Sequence, residues 1–254
     1  MPRSEMPFMS HIGELKRRMI WSALFFVVAT GVSLGFHRQI LKFLLAPADD
    51  LNAFTGGLPI FTDLTEFWGA AVKISVLTGA MVSLPFFLLQ MSLFVAPGLG
   101  RKERRWLYFL LPFAIASFFS GVTFGYYVLL PPAINFLLNF GGDVATPLIR
   151  IGSYVNLVTM LLFWMGLSFE LPIVMFFLAK VGIVTPKAFG GKRKYAVVGA
   201  FIAGAMITPT FDPVNQALVA GPIIVLYEVG YWLSRLAAHG RSPKAVDASG
   251  KASL

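Results

Sequence analysis

Arg101-Lys102-Glu103-Arg104-Arg105 stands directly before residues 106–142, where no side chain is charged. A dense basic cluster at the edge of a long apolar run marks a membrane chain turning back on its cytoplasmic side, because Lys and Arg resist translocation. The pattern recurs in both directions along the chain. Basic clusters also occupy residues 3–18 and 180–194 and the segment from Arg235 onward, with apolar sequence between them. With all four clusters on one side, the chain goes out and back three times. The expected fold is therefore all-α: an integral membrane protein of six transmembrane helices with both termini cytoplasmic.

Composition excludes most alternatives. Of the 254 residues, 57% are hydrophobic and 13% charged, and the mean hydropathy is +0.74. A soluble domain carries about a quarter charged residues. At roughly 20 apolar residues per crossing, six crossings use about half the chain and leave no room for a separate soluble domain. The net charge of +9 lies mostly in short loops beside hydrophobic spans. Orientation in a lipid bilayer accounts for it, and no nucleic-acid partner is implied. The chain has no cysteine, which excludes disulfides, thiol catalysis and cysteine-ligated metals. The first apolar run begins after Arg18 without a clear small-residue cleavage site, so no cleavable signal peptide is expected.

The spans are placed at about 19–36, 67–95, 107–130, 151–179, 195–207 and 217–233, in one domain ending near residue 235. Residues 236–254 read as a disordered cytoplasmic tail. After the first span comes a polar, turn-rich outer segment with Asp49, Asp50, Asp63 and Glu66. Pro131-Pro132 divides the uncharged run, leaving residues 133–140 as a short helix on the outer surface. The last two spans are at or under crossing length, which suggests a locally thinned bilayer. On this threading 17 of the 21 lysines and arginines lie inside.

Few residues invite a functional reading. Glu170, in Phe169-Glu170-Leu171-Pro172, lies deep in the fourth span. A charge at that depth normally faces a partner or a water-filled cavity, or else bonds to a neighbouring helix. Pro172 removes a backbone donor and is expected to kink the helix beside it. Lys73 is expected to snorkel its amine to the outer interface. Glu14 and Arg18, four apart, would pair on a helix face. Asp212 and Gln216 would cap and line the start of the sixth span. His11, His37 and His239 are too scattered for a metal site or relay. There is no phosphate loop and no Ser/His pair within a span, so neither catalysis nor a cofactor is expected.

Several short strings, in order, resemble the TatC family, the multispanning subunit of the twin-arginine protein translocase. They are His11-Ile12-Gly13-Glu14-Leu15-Lys16-Arg17-Arg18, then Phe94-Val95-Ala96-Pro97-Gly98-Leu99 leading to Glu103-Arg104-Arg105. Further on come Ser168-Phe169-Glu170-Leu171-Pro172, Thr208-Pro209 with Asp212 and Gln216, and Leu226-Tyr227-Glu228. The resemblance covers residues 11–235. Two departures stand out: Lys16 replaces a common Arg, and Pro209-Thr210-Phe211-Asp212 is one residue longer than the usual Pro-Pro-Asp.

The resemblance implies a concave, glove-like bundle in the bacterial cytoplasmic (inner) membrane. It implies a receptor for signal peptides carrying paired arginines, which assembles a complex exporting folded proteins with the proton gradient. Carried over residue by residue, peptide binding falls to Glu14, Lys16, Phe94, Glu103 and Arg105. Docking of small single-span partners of the TatA/TatB type falls to Glu170, Asp212 and Gln216, and self-association is expected. The carboxylates suit the task chemically, since a guanidinium forms paired bonds with a carboxylate. The alternative is a proton-coupled secondary transporter using Glu170, but neither repeats nor converging broken helices support it.

Overall fold

The computed structural model describes residues 8–51, 53–54, 58–140, 148–208 and 212–239. Among these the chain is all-helical. Helices α1 (Phe8–Gly35), α2 (His37–Asp49) and α3 (Glu66–Val95) come first. A 3-10 turn, Ala96–Gly98, leads into α4 (Arg101–Phe124), which passes through a π turn at Gly125–Leu129 into α5 (Leu130–Asn139). Then come α6 (Ile151–Phe169), α7 (Leu171–Val181), the short α8 (Pro186–Gly191), α9 (Arg193–Ile207) and α10 (Pro213–Ala238).

Five helical segments are long and apolar enough to cross a membrane: Ile12–Gly35, Glu66–Gly98, Arg101–Asn139, Ile151–Val181 and Pro213–Ala238. The other expected span falls on α9, which has 15 residues and extends roughly 22 Å at 1.5 Å per residue. Three expectations are corrected here. The last helix is not short: at 26 residues it starts at the Asp212 cap and carries through polar Ser234 and Arg235, which a count of apolar residues leaves out. It also runs three residues past the expected domain end at 235, and the tail from residue 240 lies outside the described residues. The double proline does not detach a surface helix, because Pro131 and Pro132 sit in the first turn of α5. There a missing N–H costs nothing in the helix just begun, and the preceding π turn absorbs the misfit.

The segment after the first span is not simply polar turn. Residues 37–49 form the amphipathic α2, which buries Leu41, Leu44 and Ala48. Pro47 inside it has no N–H, so the carbonyl of Phe43, four residues back, loses its helical donor. The hydroxyl of Tyr126 donates to that oxygen at 2.6 Å, with its ring stacked on Phe43 at 4.6 Å. Tyr154 donates to Leu44 O at 2.7 Å. Two tyrosines on different helices thus tie α2 to the bundle through carbonyls at its proline-disrupted end. At the same end of the molecule Ile60 pairs in parallel with Arg150. Glu66 there accepts from Thr62 N (2.9 Å), Gly152 N (3.1 Å) and Arg150 Nη2 (3.1 Å). Just before it, the backbone N–H and the hydroxyl of Thr65 hold the exposed Asp63 carboxyl below the usual carboxylate range.

Helix α6 is central, burying Tyr154, Val155, Val158, Leu161, Leu162 and Met165. Close approach is achieved through small residues, as helices in lipid require because no hydrophobic force draws them together. Gly121 of α4 lies against the backbone of α6, where an added Cβ would stand 2.6 Å from Met165 O. Gly166 receives the Phe118 ring in the same contact, Gly79 seats Thr30 of α1 on α3, and Gly230 lets α10 approach Pro172 and Met175 of α7. Lys73 does not snorkel: its Nζ donates to Asn156 Oδ1 of α6, because a partner on the adjacent helix stands within reach.

The basic clusters gather at one end of this bundle. Lys180, closing α7, lies 4.6 Å over the Trp106 ring of α4 and donates to Ala237 O of α10 at 3.4 Å. Arg193, opening α9, pairs with Glu228 of α10 at 2.7 Å. Arg18 of α1 reaches Gln90 near the end of α3, one short turn from the 101–105 cluster.

Candidate functional site

At this basic end α1 lies antiparallel along α3, with Phe25 stacked on Phe86 at 4.7 Å. Nearer the start of α1, side chains of the two helices line a cavity of about 430 Å³: Glu14, Arg17, Arg18, Trp21, Gln90 and Leu93. The Glu14 carboxylate is the acid in this wall. Arg18, four residues on, donates to Glu14 Oε1 from Nε at 3.0 Å and also from Nη2. Its remaining nitrogen, Nη1, donates to Gln90 Oε1 at 3.3 Å across to α3. Both partners are partly buried, with side-chain exposures of 20% for Arg18 and 27% for Glu14. The ion pair is therefore less screened than one on an open helix face.

Glu103 occupies the third position of α4, where its Oε2 accepts the backbone N–H of Gly100 at 2.9 Å. An acid there satisfies an orphan donor of the helix start and complements the helix dipole. This local reason sits beside any recognition role. Phe94 is half-buried in the last turn of α3, and Lys16 and Arg105 are exposed. Of the residues implied for peptide binding, only Glu14 lines the cavity. Phe94 and Glu103 flank the 3-10 turn that continues its α3 wall, while Lys16 and Arg105 lie on the surrounding basic surface. Gln90 was not singled out by sequence reasoning. Its signal was present: a lone amide in Phe86-Phe87-Leu88-Leu89-Gln90-Met91, where apolar sequence otherwise prevails.

The second group of candidates falls on other helices. Glu170 sits at the break between α6 and α7, with Pro172 in the first turn of α7, so the expected interruption lies at this acid. Ser117 of α4 donates to the adjacent Phe169 carbonyl at 2.7 Å, bracing the break. Glu170 itself is only 7% exposed, and its Oε1 has no hydrogen-bond partner among the described residues. It therefore neither opens to a wide water-filled cavity nor settles both its oxygens on a neighbouring helix. Asp212 caps α10, accepting from Asn215 N at 2.6 Å and Asn215 Nδ2 at 3.1 Å. Gln216 donates to Phe201 O of α9 at 2.8 Å, and its own carbonyl packs against Gly204. Gln216 thus joins α9 to α10, while Asp212 caps α10. The preceding turn, residues 209–211, lies outside the described residues, as does Asp143. No cluster of three or more His, Asp or Glu side chains suited to a metal exists among the described residues.

Comparison with known proteins decides the family. Residues 10–222 match the family described as Sec-independent protein translocase protein (TatC). The chain belongs to the TatC family. The TatC protein of Carboxydothermus hydrogenoformans is 33% identical over 230 residues, covering 91% of this chain and 93% of that protein. That of Aquifex aeolicus is 35% identical, covering 91% and 96%. The chloroplastic TATC of Arabidopsis thaliana is 36% identical over 91% of this chain and 67% of its own length. A crystal structure of the twin-arginine translocase receptor TatC superposes with a TM-score of 0.81 at 34% identity, covering 89% of this chain and 99% of that one. As a TatC protein the chain is a multi-pass component of the Sec-independent translocase. The secondary-transporter alternative falls away.

Proposed function

We propose that this TatC-family chain is the receptor for twin-arginine signal peptides and the core on which the export complex assembles, in the inner membrane of a bacterium. It crosses the bilayer six times with both termini in the cytoplasm. The sixth crossing counts α9, whose 15 residues fall short of a hydrocarbon core of about 30 Å and are accommodated by local thinning and by packing on α10. The gathering of basic clusters at one end of the bundle supports this orientation.

The observation that carries the reading is the cavity at that end, where the Glu14 carboxylate already holds a guanidinium with two of its nitrogens on one oxygen. A surface able to seat one arginine between an acid and an amide is suited to arginine in an extended peptide. In this reading Glu14 and Glu103 accept the arginine pair, Phe94 covers its apolar side, and Lys16 and Arg105 repel cations that are not placed by geometry. Glu170, Asp212 and Gln216 serve small single-span partners of the TatA/TatB type. Further copies of this chain join the same complex. The chain itself catalyses no bond chemistry.

Complementation tests the proposal. Expressed in a bacterium lacking its own TatC, the chain is expected to restore export of a folded reporter bearing a twin-arginine signal peptide, and not of the twin-lysine version. Export of both reporters alike, or of neither despite normal accumulation of the chain beside its cognate small partners, would refute it.

A further inference from the structure

The hydrogen bonding of Arg18 is more elaborate than an ordinary i to i+4 ion pair. Such a pair commonly makes a single bond on an open helix face and contributes little. Here the guanidinium uses Nε and Nη2 on Glu14 and Nη1 on Gln90, a residue 72 positions away on another helix. It lies in a cavity of about 430 Å³, within the size range of small-ligand pockets. The indole of Trp21, half-exposed, forms part of the same wall and offers a face on which a second planar cation can stack.

We infer that Arg18 is a built-in stand-in for an arginine of the incoming peptide, and that Gln90 is a specificity-determining residue of the arginine site. The inference rests on the receptor reading above and extends it. In the empty protein Arg18 covers the partly buried Glu14 carboxylate and compensates its charge. An arriving arginine takes over the bonds to Glu14 and Gln90 while Arg18 swings onto the adjoining exposed surface. Exchange of one guanidinium for another keeps the hydrogen-bond count nearly constant, so binding is reversible and peptide release is easy. A lysine cannot replace Arg18 as well, because an ammonium lacks the planar fork that reaches the acid and the amide together. Discrimination against twin-lysine peptides thus originates partly in competition with a resident arginine.

The test measures the dissociation constant of a fluorescent twin-arginine peptide and its twin-lysine analogue for the full chain in nanodiscs. Arg18→Gln is expected to bind the twin-arginine peptide roughly three- to fivefold more tightly, the scale of one partly screened ion pair. Arg18→Lys, which keeps the charge, gains less, and Gln90→Ala weakens binding about three- to tenfold. Lys102→Gln, an exposed charge removed from the first turn of α4, serves as the electrostatic control and changes affinity less than about twofold. Unchanged or weaker binding by both Arg18 variants, or an equal gain from Lys102→Gln, overturns the stand-in role. No loss for Gln90→Ala overturns the assignment of Gln90. If the unaltered chain binds both peptides equally, the receptor reading has failed instead, and that outcome is recognisable without any variant.

Discussion

Replacing Glu14 and Glu103 together by Ala is expected to lower export of twin-arginine cargo by roughly a hundredfold. A charge-assisted hydrogen bond contributes about 1.5–3 kcal/mol where it is partly shielded from water, and each 1.4 kcal/mol is a tenfold change in affinity. Glu14 is only about a quarter exposed, so its share belongs to this range. The effect of Glu103 has two parts, because its carboxylate also accepts the Gly100 N–H. Removing that acceptor costs about 1 kcal/mol of helix stability by itself. Glu103→Gln separates the two: the amide oxygen still caps Gly100, while the charge offered to an arginine is gone. Export by Glu14→Ala/Glu103→Gln is expected to fall nearly as far, with the protein accumulating normally. An export rate within threefold of the unaltered chain would show that these acids do not hold the signal peptide.

Gly121→Val carries the largest expected effect on stability. The new Cβ would stand 2.6 Å from Met165 O and 2.9 Å from Gly166 Cα. Both obstacles are backbone, which cannot swing aside as a side chain can. Helices α4 and α6 must separate, pulling Phe118 out of its seat on Gly166. Overpacking of this kind costs about 1–3 kcal/mol or more, and in lipid the lost dispersion contacts are not replaced by a hydrophobic force. The melting temperature in detergent is expected to fall by about 5–10 °C. Gly31→Ala on α1, whose added Cβ meets nothing within 4 Å, is the comparison. It is expected to leave the melting temperature unchanged or raise it slightly, since Ala favours helix. A smaller drop for Gly121→Val than for Gly31→Ala would mean that α4 and α6 do not pack as described.

What the sequence made legible is what depends on short range. The interruption at Glu170 follows from Pro172, the α10 cap from Asp212, and the Glu14–Arg18 pair from a spacing of four. Each needs only local helix geometry. Five long apolar helices were legible because lipid imposes one coarse rule on every residue between the loops. What remained hidden depends on partners far apart in the chain. Lys73 looked like a snorkelling residue because Asn156, 83 residues on, gives no sign in sequence of standing beside it. Helix α2 was hidden because Pro47 and two acids resemble turn sequence, and only Tyr126 and Tyr154 of distant helices explain how its carbonyls are satisfied. Gln90 stood out only as a lone amide in apolar sequence, and its contact with Arg18 is visible only once α1 lies along α3. Burial of Glu170 was likewise out of reach, because it depends on how α6 and α7 pack around their break.

On the receptor reading, the basic end of this bundle selects a pair of arginines. A photoreactive phenylalanine analogue placed at Phe94 tests it most directly, exposed in turn to a twin-arginine signal peptide and its twin-lysine counterpart at equal concentration. Labelling of the twin-arginine peptide at least about tenfold above the twin-lysine one is expected, since a Lys at a forked site is a poor substitute. Equal labelling of the two peptides would contradict the account.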